Sequence, residues 1–133
     1  MNNVSIDNEE FLKSAEYRNF ISRNSGKGNL KIRAYVASEA LPVGGLHIVV
    51  STDFNGTKII FFDGETDASG MIQTLSLPAP PLAMNNLEIP STTTYHITTS
   101  SNTSVPKEFS VNMYDGICVV QNINFVPGGQ NGN

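Results

Sequence analysis

The strongest constraint in this sequence is a set of short segments in which apolar and polar residues alternate. Between Leu30 and Val36 every second residue is apolar, whereas Lys31, Arg33 and Tyr35 occupy the alternate positions. A period of two places the apolar side chains on one face of a strand and the polar ones on the other. The segment therefore predicts a half-buried strand of an antiparallel sheet.

Turn-forming residues separate this segment from others of the same kind. Asn55-Gly56 is the strongest hairpin signal, because both residues accept the positive φ of a type I′ turn. Short strands cannot bury their apolar faces alone, so they must stack as two sheets with Greek-key connections. The sequence predicts an all-β, seven-stranded Greek-key sandwich with strands at 30–36, 46–50, 58–62, 71–77, 92–99, 109–113 and 117–126.

A short amphipathic helix is predicted before the first strand. Asp7 and Glu10 have the spacing of a capping box, and an apolar stripe follows them. The chain of 133 residues is long enough for one core and too short for two. We expect an N-terminal arm with the helix at 1–27, the sandwich at 28–127 and a flexible tail at 128–133. The stripe comprises Phe11, Leu12, Ala15, Phe20 and Ile21.

The segment from Pro78 to Pro90 carries four prolines and predicts a long extended loop after a strand that ends at Pro78. Long loops on rigid sandwiches often carry binding, but a loop folded over one open end of its own core is the simpler interpretation. The helix poses the same choice between capping its own sandwich and docking on a neighbour. The exposed edge of the strand at 92–99 is a further contact site. The candidate interaction surface comprises Pro80, Pro81, Leu82, Met84, Leu87, Phe11 and Leu12.

The charge balance disfavours two classes of partner. The net charge is -4, and the eight Lys and Arg residues are scattered along the chain. Phosphate binding needs clustered cations, so we expect neither nucleic acid nor a membrane surface as partner. The longest apolar runs are also far shorter than the roughly 20 residues of a transmembrane helix.

Residues able to carry chemistry are few. His47 and His96 each lie in a predicted strand, where a hydrogen-bonded structural histidine is the simpler interpretation than a general base or a zinc ligand. Cys118 lies in the apolar run 117–120 and is expected to be a buried structural thiol. The sequence therefore predicts no catalytic residue, no metal site and no cofactor.

The acidic segment from Asp63 to Gly70 was compared with a calcium-binding loop. Placing Glu65, Asp67 and Ser69 at the first, third and fifth ligand positions puts Gly70 at the sixth. The bidentate glutamate that should close the loop is then replaced by a serine. We therefore expect Asp63 and Asp67 to be turn acids that accept amide hydrogen bonds, with Gly70 supplying positive φ.

Five motifs follow one another in a fixed order along the chain. They are Gly28-x-Leu30-x-Ile32, Ala40-Leu41-Pro42-Val43-x-Gly45, Thr66-Asp67-x-Ser69-Gly70, Leu77-Pro78-Ala79-Pro80, and Tyr114-x-Gly116-Ile117-x-x-Val120-Gln121 leading to Val126-Pro127. In this order they resemble the carboxypeptidase-regulatory-like branch of the prealbumin (transthyretin-like) fold, and the final strand is similar to modules of clostridial spore cortex-lytic proteins. The resemblance covers roughly Phe11 to Pro127 and implies a non-enzymatic appendage that docks, spaces or binds. No site residue is carried over by it.

We therefore predict a non-enzymatic structural or protein-interaction module that binds a protein partner or self-associates. One alternative is a carbohydrate or peptidoglycan binder, which would need exposed aromatic side chains in a chain without Trp. The other is a transthyretin-like hydrolase, which would need a polar cluster of His with Arg or Ser at a subunit cleft. The opening residues show no signal-peptide pattern, which predicts a cytoplasmic or a spore- or particle-associated protein.

Overall fold

The structure is a computed structural model that describes residues 2–36, 41–82, 92–102 and 104–125. These residues form an all-β sandwich with two short helices, which confirms the predicted fold class. Each predicted strand has an observed counterpart, and two further strands, β1 and β3, are present. The elements are β1 (Asn2–Ser5), α1 (Glu9–Leu12), α2 (Ala15–Arg23), β2 (Gly26–Val36), β3 (Leu41–Pro42), β4 (His47–Phe54), β5 (Thr57–Glu65), β6 (Leu75–Ala79), β7 (Thr93–Ser101), β8 (Ser104–Met113) and β9 (Cys118–Asn124).

The strands form two sheets. The larger sheet has the order β1-β5-β4-β7-β8, and the smaller one is built around β2. Asn29 and Leu30 pair with both β6 and β9, so these two strands lie on opposite sides of β2. Strand β3 pairs with the far end of β2. The chain changes sheet after β1, β3, β5, β6 and β8, as Greek-key connections require.

Three features of the strand pairing were not predicted from the sequence. Strand β1 runs parallel to β5, and β9 runs parallel to β2. The strand predicted at 92–99 is not an exposed edge, since β7 lies between β4 and β8. Local patterns do not encode which distant strands become neighbours, and this explains all three differences.

The Asn55-Gly56 hairpin is confirmed. Both residues have positive φ, 51° and 80°, as a type I′ turn requires, and they connect the antiparallel strands β4 and β5. The register of this pair shifts between Val50 and Ser51, which marks a β-bulge. Beyond the shift, the pairing continues to His47 opposite Glu65.

The core lies between the inner faces of the two sheets. Leu30, Ile32 and Ala34 of β2 are at most 2% exposed, in agreement with the predicted alternation. Their counterparts in the larger sheet include Ile48 and Ile97, which are fully buried. The predicted strand period therefore identified the apolar face correctly.

The N-terminal segment packs on its own sandwich. Phe20 of α2 is 1% exposed, and its ring lies 5.3 Å from Phe54 and 5.9 Å from Phe61, centroid to centroid. Thr57 in β5 also donates a 2.9 Å hydrogen bond to the carboxylate of Glu16. The helix therefore closes the rim of the larger sheet through Phe20, while Leu12 and Ala15 of the predicted stripe stay exposed.

The helical caps differ from the predicted capping box. Asn8, not Asp7, precedes α1 and accepts a hydrogen bond from the backbone amide of Glu10. Ser14 interrupts the predicted single helix and caps α2 by accepting from the amide of Tyr17. Asn and Ser are both preferred N-cap residues, so the local chemistry is ordinary although the boundaries were misplaced.

Strand β6 extends through Pro78, where the sequence predicted that it would end. Pro78 pairs in register with Lys27, whose carbonyl accepts from the amide of Gly116 on the β9 side. The missing N–H of the proline therefore faces the outer edge of β6, a position where a strand tolerates proline. The Pro78 carbonyl accepts a 2.6 Å hydrogen bond from the Tyr95 hydroxyl and so joins the two sheets.

Removing the Tyr95 hydroxyl should destabilise the protein. Tyr95→Phe leaves the buried Pro78 carbonyl without this donor, and we expect a loss of about 1–3 kcal/mol in the free energy of unfolding, measured by urea denaturation. Tyr35→Phe, at a half-buried position, is the matched control and should cost much less.

The same hydroxyl should govern part of the alkaline stability. Burial, and secondarily Tyr17, raises the pKa of Tyr95 well above its ordinary value of 10.0. Above about pH 10 the unfolded chain releases this proton and the folded protein keeps it, so stability falls as pH rises. Tyr95→Phe should show a shallower fall between pH 10 and 11. Equal slopes for the two proteins would contradict this assignment.

Removing the Phe20 ring should detach α2 from the sandwich. Phe20→Ala deletes a fully buried aromatic side chain, which typically costs about 3–5 kcal/mol. Leu12→Ala, at a position 37% exposed, is the control and should cost less than about 1 kcal/mol. Thermal unfolding followed by circular dichroism measures both. Similar losses for the two variants would show that Phe20 has no special role.

Candidate functional site

The most distinctive surface is the free edge of the smaller sheet, formed by β9. Within the described residues this strand pairs only with β2, from Cys118 opposite Asn29 to Asn124 opposite Tyr35. A strand at the edge of a sheet presents unpaired backbone N–H and C=O groups to any chain that approaches it. The edge is seven residues long and contains no charged residue and no proline.

Exposed apolar side chains gather on and beside this sheet. Val120 in β9 is 51% exposed, Ile117 just before it 49%, and Leu41 in β3 58%. Leu82 follows β6 closely and is 56% exposed; its backbone amide donates to Asp115 in the turn before β9. Of these side chains, Val120 alone lies within β9, so it is the apolar group that this edge offers to a partner.

Two cations accompany the apolar residues. Lys31 pairs in register with Val120, and Arg33 with Asn122, and all four side chains belong to the outer face of the sheet. No ion pair involving Lys31 or Arg33 occurs in the described part of the chain. We refer to Lys31, Arg33, Val120 and the β9 edge as the small-sheet surface.

The sequence prediction of Cys118 as a buried thiol is wrong. Its register places it at the start of β9 on the outer face, where it is exposed. The apolar run around it suggested burial, but alternate residues of β9 point to the outer face of the sheet, which is open to solvent.

The outer face of the larger sheet contains a hydrogen-bonded histidine. His47 Nε2 lies 2.5 Å from Asp63 Oδ1, and His47 Nδ1 lies 3.4 Å from the hydroxyl of Ser100. The group borders a cleft of about 440 Å³ that is also lined by Glu65 and Asn102. Strand pairing creates the cluster, because His47 lies opposite Glu65 in β5 and opposite Ser100 in β7.

The second histidine lies in a separate group on the same face. His96 is 3.5 Å from Asp53 and 3.6 Å from Glu108, and its Nδ1 lies 3.3 Å from the Ser110 hydroxyl. It pairs in register with Ser51, four positions along β4 from His47, so the two histidines do not share one site. The described residues contain no group of three His, Cys, Asp or Glu side chains suited to a metal.

The two acids predicted to lie in a turn have different surroundings. Asp67 accepts hydrogen bonds from the amides of Ser69 and Met71, and Gly70 has a φ of 76°, which confirms the turn interpretation. Asp63 is not in a turn: it lies within β5 and contacts His47. The chain stays in the strand for two residues beyond Asp63, so the predicted turn begins too early.

The other predicted interaction residues have different outcomes. Phe11 is 7% exposed and belongs to the core, so it is removed from the candidate surface. Leu12 is exposed, Pro80 is half-buried, and Pro81 is exposed beside Leu82. Met84 and Leu87 lie outside the described residues.

The aromatic residues bear on the carbohydrate-binding alternative. All eleven Phe and Tyr side chains lie in the described ranges, and each is buried or half-buried. The tyrosines that could have stacked on a sugar illustrate this: Tyr95 is fully buried, and Tyr17, Tyr35 and Tyr114 are half-buried. The described residues therefore offer no exposed aromatic platform.

Neither described helix meets the length and hydropathy needed to cross a membrane. The longer one, α2, has nine residues.

Comparison with known proteins gave structural similarities only. No family model matches the chain, and no curated protein matches it. Among solved structures it is similar to 5-hydroxyisourate hydrolase from Klebsiella pneumoniae, with a TM-score of 0.49 and 16% identity over 76% of this chain and 92% of that one.

Two further solved structures show the same kind of likeness. Sea bream transthyretin, solved in complex with thyroxine, gives a TM-score of 0.44 and 18% identity over 64% of this chain and 74% of that one. Catechol 1,2-dioxygenase from an Acinetobacter species gives 0.48 and 10% over 99% and 60%. These are likenesses of backbone arrangement alone, and they leave the prealbumin resemblance named from the sequence as an expectation. The carboxypeptidase-regulatory-like and cortex-lytic parts of that resemblance stay predictions.

Proposed function

We propose that this protein is a non-enzymatic interaction module that binds other protein chains through its small-sheet surface. The single observation that carries the proposal is the edge of β9, which is uncharged, free of proline and, among the described residues, unpaired. Soluble proteins usually block such an edge with charges, prolines or bulges, because an open edge pairs with other chains. An unblocked edge next to half-exposed Val120 is suited to strand addition.

The chemistry of the surface favours an extended protein segment as partner. Backbone hydrogen bonds from the edge would supply affinity, and Val120 would contact apolar side chains of the added strand. Lys31 and Arg33, without ion pairs of their own in the described residues, would select acidic side chains. A glycan would call for exposed aromatic rings, whereas every ring here is at least half-buried.

The exposed thiol offers a direct test of this surface. Cys118 is the sole cysteine, so a maleimide-diazirine cross-linker placed on it samples the β9 edge without further engineering. We expect photo-crosslinked protein adducts whose yield falls severalfold when Lys31 and Arg33 are both changed to Glu. Mass spectrometry identifies the adducts.

A matched control moves the cross-linker to the other sheet. In Cys118→Ser combined with Asn112→Cys, the label lies at an exposed position of β8. The same adducts from both positions, or adducts indifferent to the charge changes, would contradict a role for the small-sheet surface.

A second candidate function is hydrolysis, favoured by the arrangement of Ser100, His47 and Asp63. A histidine between a hydroxyl and a carboxylate can accept the hydroxyl proton while the carboxylate stabilises the imidazolium. We rank it second because the side chains of His47 and Asp63 are 43% and 57% exposed. Water then competes for each of their contacts, and nothing desolvates the developing charge.

Turnover of p-nitrophenyl acetate distinguishes the two functions. We expect the wild-type protein to hydrolyse this ester no faster than His47→Ala or Ser100→Ala, with His96→Ala as a control for general histidine catalysis. A rate that is lost in Ser100→Ala and retained in His96→Ala would favour the hydrolase and contradict the non-enzymatic proposal.

A further inference from the structure

We propose that β9 pairs antiparallel with β9 of a second copy of this chain, so that the two smaller sheets join into one continuous sheet. This inference rests on the proposed function, because it names the partner of the same edge. It also explains why that edge is unblocked while the other edges of the sandwich are protected.

The other edge strands carry features that oppose pairing. Strand β8 contains Pro106 followed by Lys107 and Glu108, and β6 contains Pro78. Strands β1 and β3 have four and two residues, which is too short for stable pairing. Among the described edge strands, β9 alone combines a length of seven residues with neither charge nor proline.

The hydrogen-bonding geometry restricts the register. Asn29 donates to the carbonyl of Ile117, and the Tyr35 carbonyl accepts from Phe125, so the odd-numbered residues of β9 bond to β2. The alternating residues, Cys118, Val120, Asn122 and Asn124, therefore direct their backbone groups to the free edge.

An antiparallel pair with its twofold axis at Gln121 uses every one of these groups. Cys118 then lies opposite Asn124 of the second copy and Val120 opposite Asn122, each as a hydrogen-bonded pair. The carbonyl of Asn122 faces the edge and accepts a 3.0 Å hydrogen bond from the Gln121 side chain. This amide takes the position that a backbone N–H of an added strand would occupy.

The side chains at this register are compatible with self-pairing. On the inner face, half-buried Val119 would meet Ile123 of the second copy and extend the apolar core across the joint. On the outer face, Lys31 and Arg33 of one copy would be separated from Lys31 and Arg33 of the other copy by the two β9 strands. Three strand spacings amount to about 14 Å, beyond the ~8 Å Debye length at physiological salt. Like-charge repulsion is therefore weak in this arrangement, whereas face-to-face stacking of the small sheets would bring these cations together.

The experiment combines sedimentation with a distance measurement. Sedimentation velocity over a range of protein concentrations should show a monomer–dimer equilibrium. A nitroxide label on Cys118 should give a distance distribution centred near 20 Å, because the two labelled positions lie six residues apart along the paired strands.

Charged variants identify the interface. Val120→Lys and Asn122→Lys each place a charge at an exposed edge position and should weaken dimerisation about tenfold or more. Leu41→Lys removes an equally exposed apolar side chain from β3 and should leave the equilibrium unchanged. Thermal melting confirms that each variant is folded, and the two edge variants serve as checks on each other.

The outcomes separate this inference from the proposed function. A dimer that survives both edge variants, or a label distance far from 20 Å, would overturn the β9 pairing. A monomer at all concentrations whose Cys118 still cross-links to other proteins would overturn self-pairing and leave the interaction module standing. A monomer that forms no adducts would overturn both.

Discussion

One line of contacts across the middle of the sandwich holds the molecule together. It begins at Phe20 in α2, passes through the ring of Phe61 in β5 to Tyr95 in β7, and ends at the Pro78 carbonyl in β6. The line joins the N-terminal helix, the larger sheet and the smaller sheet through side chains that are at most 8% exposed. Because Tyr95 is buried among apolar neighbours, its hydroxyl has one good acceptor, and that acceptor fixes where β6 lies. The position of β2, and through it of β9, follows from the same anchor.

Local features of the chain were predictable, and long-range ones were not. Alternation at Leu30 to Val36 identified the buried face of β2, and Asn55-Gly56 identified the hairpin, because both effects act within a few residues. The neighbours of each strand could not be predicted from local patterns. Pairings between distant segments place β7 in the centre of its sheet and leave Cys118 exposed. The contact of His47 with Asp63 and Ser100 likewise depends on the register of three strands. Its only sequence signal was the presence of the residues themselves.

The two outer faces of the sandwich differ in how their polar groups are satisfied. On the larger sheet, His47 and His96 each have carboxylate and hydroxyl neighbours, so that face meets many of its own electrostatic needs. On the smaller sheet, Lys31 and Arg33 have no ion pair in the described residues and lie beside the half-exposed Val120 of β9. A surface whose groups still lack partners gains more from contact with another chain than one already satisfied. This contrast, more than any single residue, is the reason why we propose a contact site on the smaller sheet.

The parallel pairing of β2 with β9 has a consequence for the order of folding. Strand β2 is synthesised early, yet one of its sides is completed only when β9, the final described strand, has been made. During that interval β2 presents both an apolar face and unsatisfied backbone groups, and contacts between such distant segments form slowly. A nascent chain would hold β4, β5, β7 and β8 as a nearly complete sheet while β2 still lacks β9. The strand that carries the proposed binding edge is thus also the last described strand to join the fold.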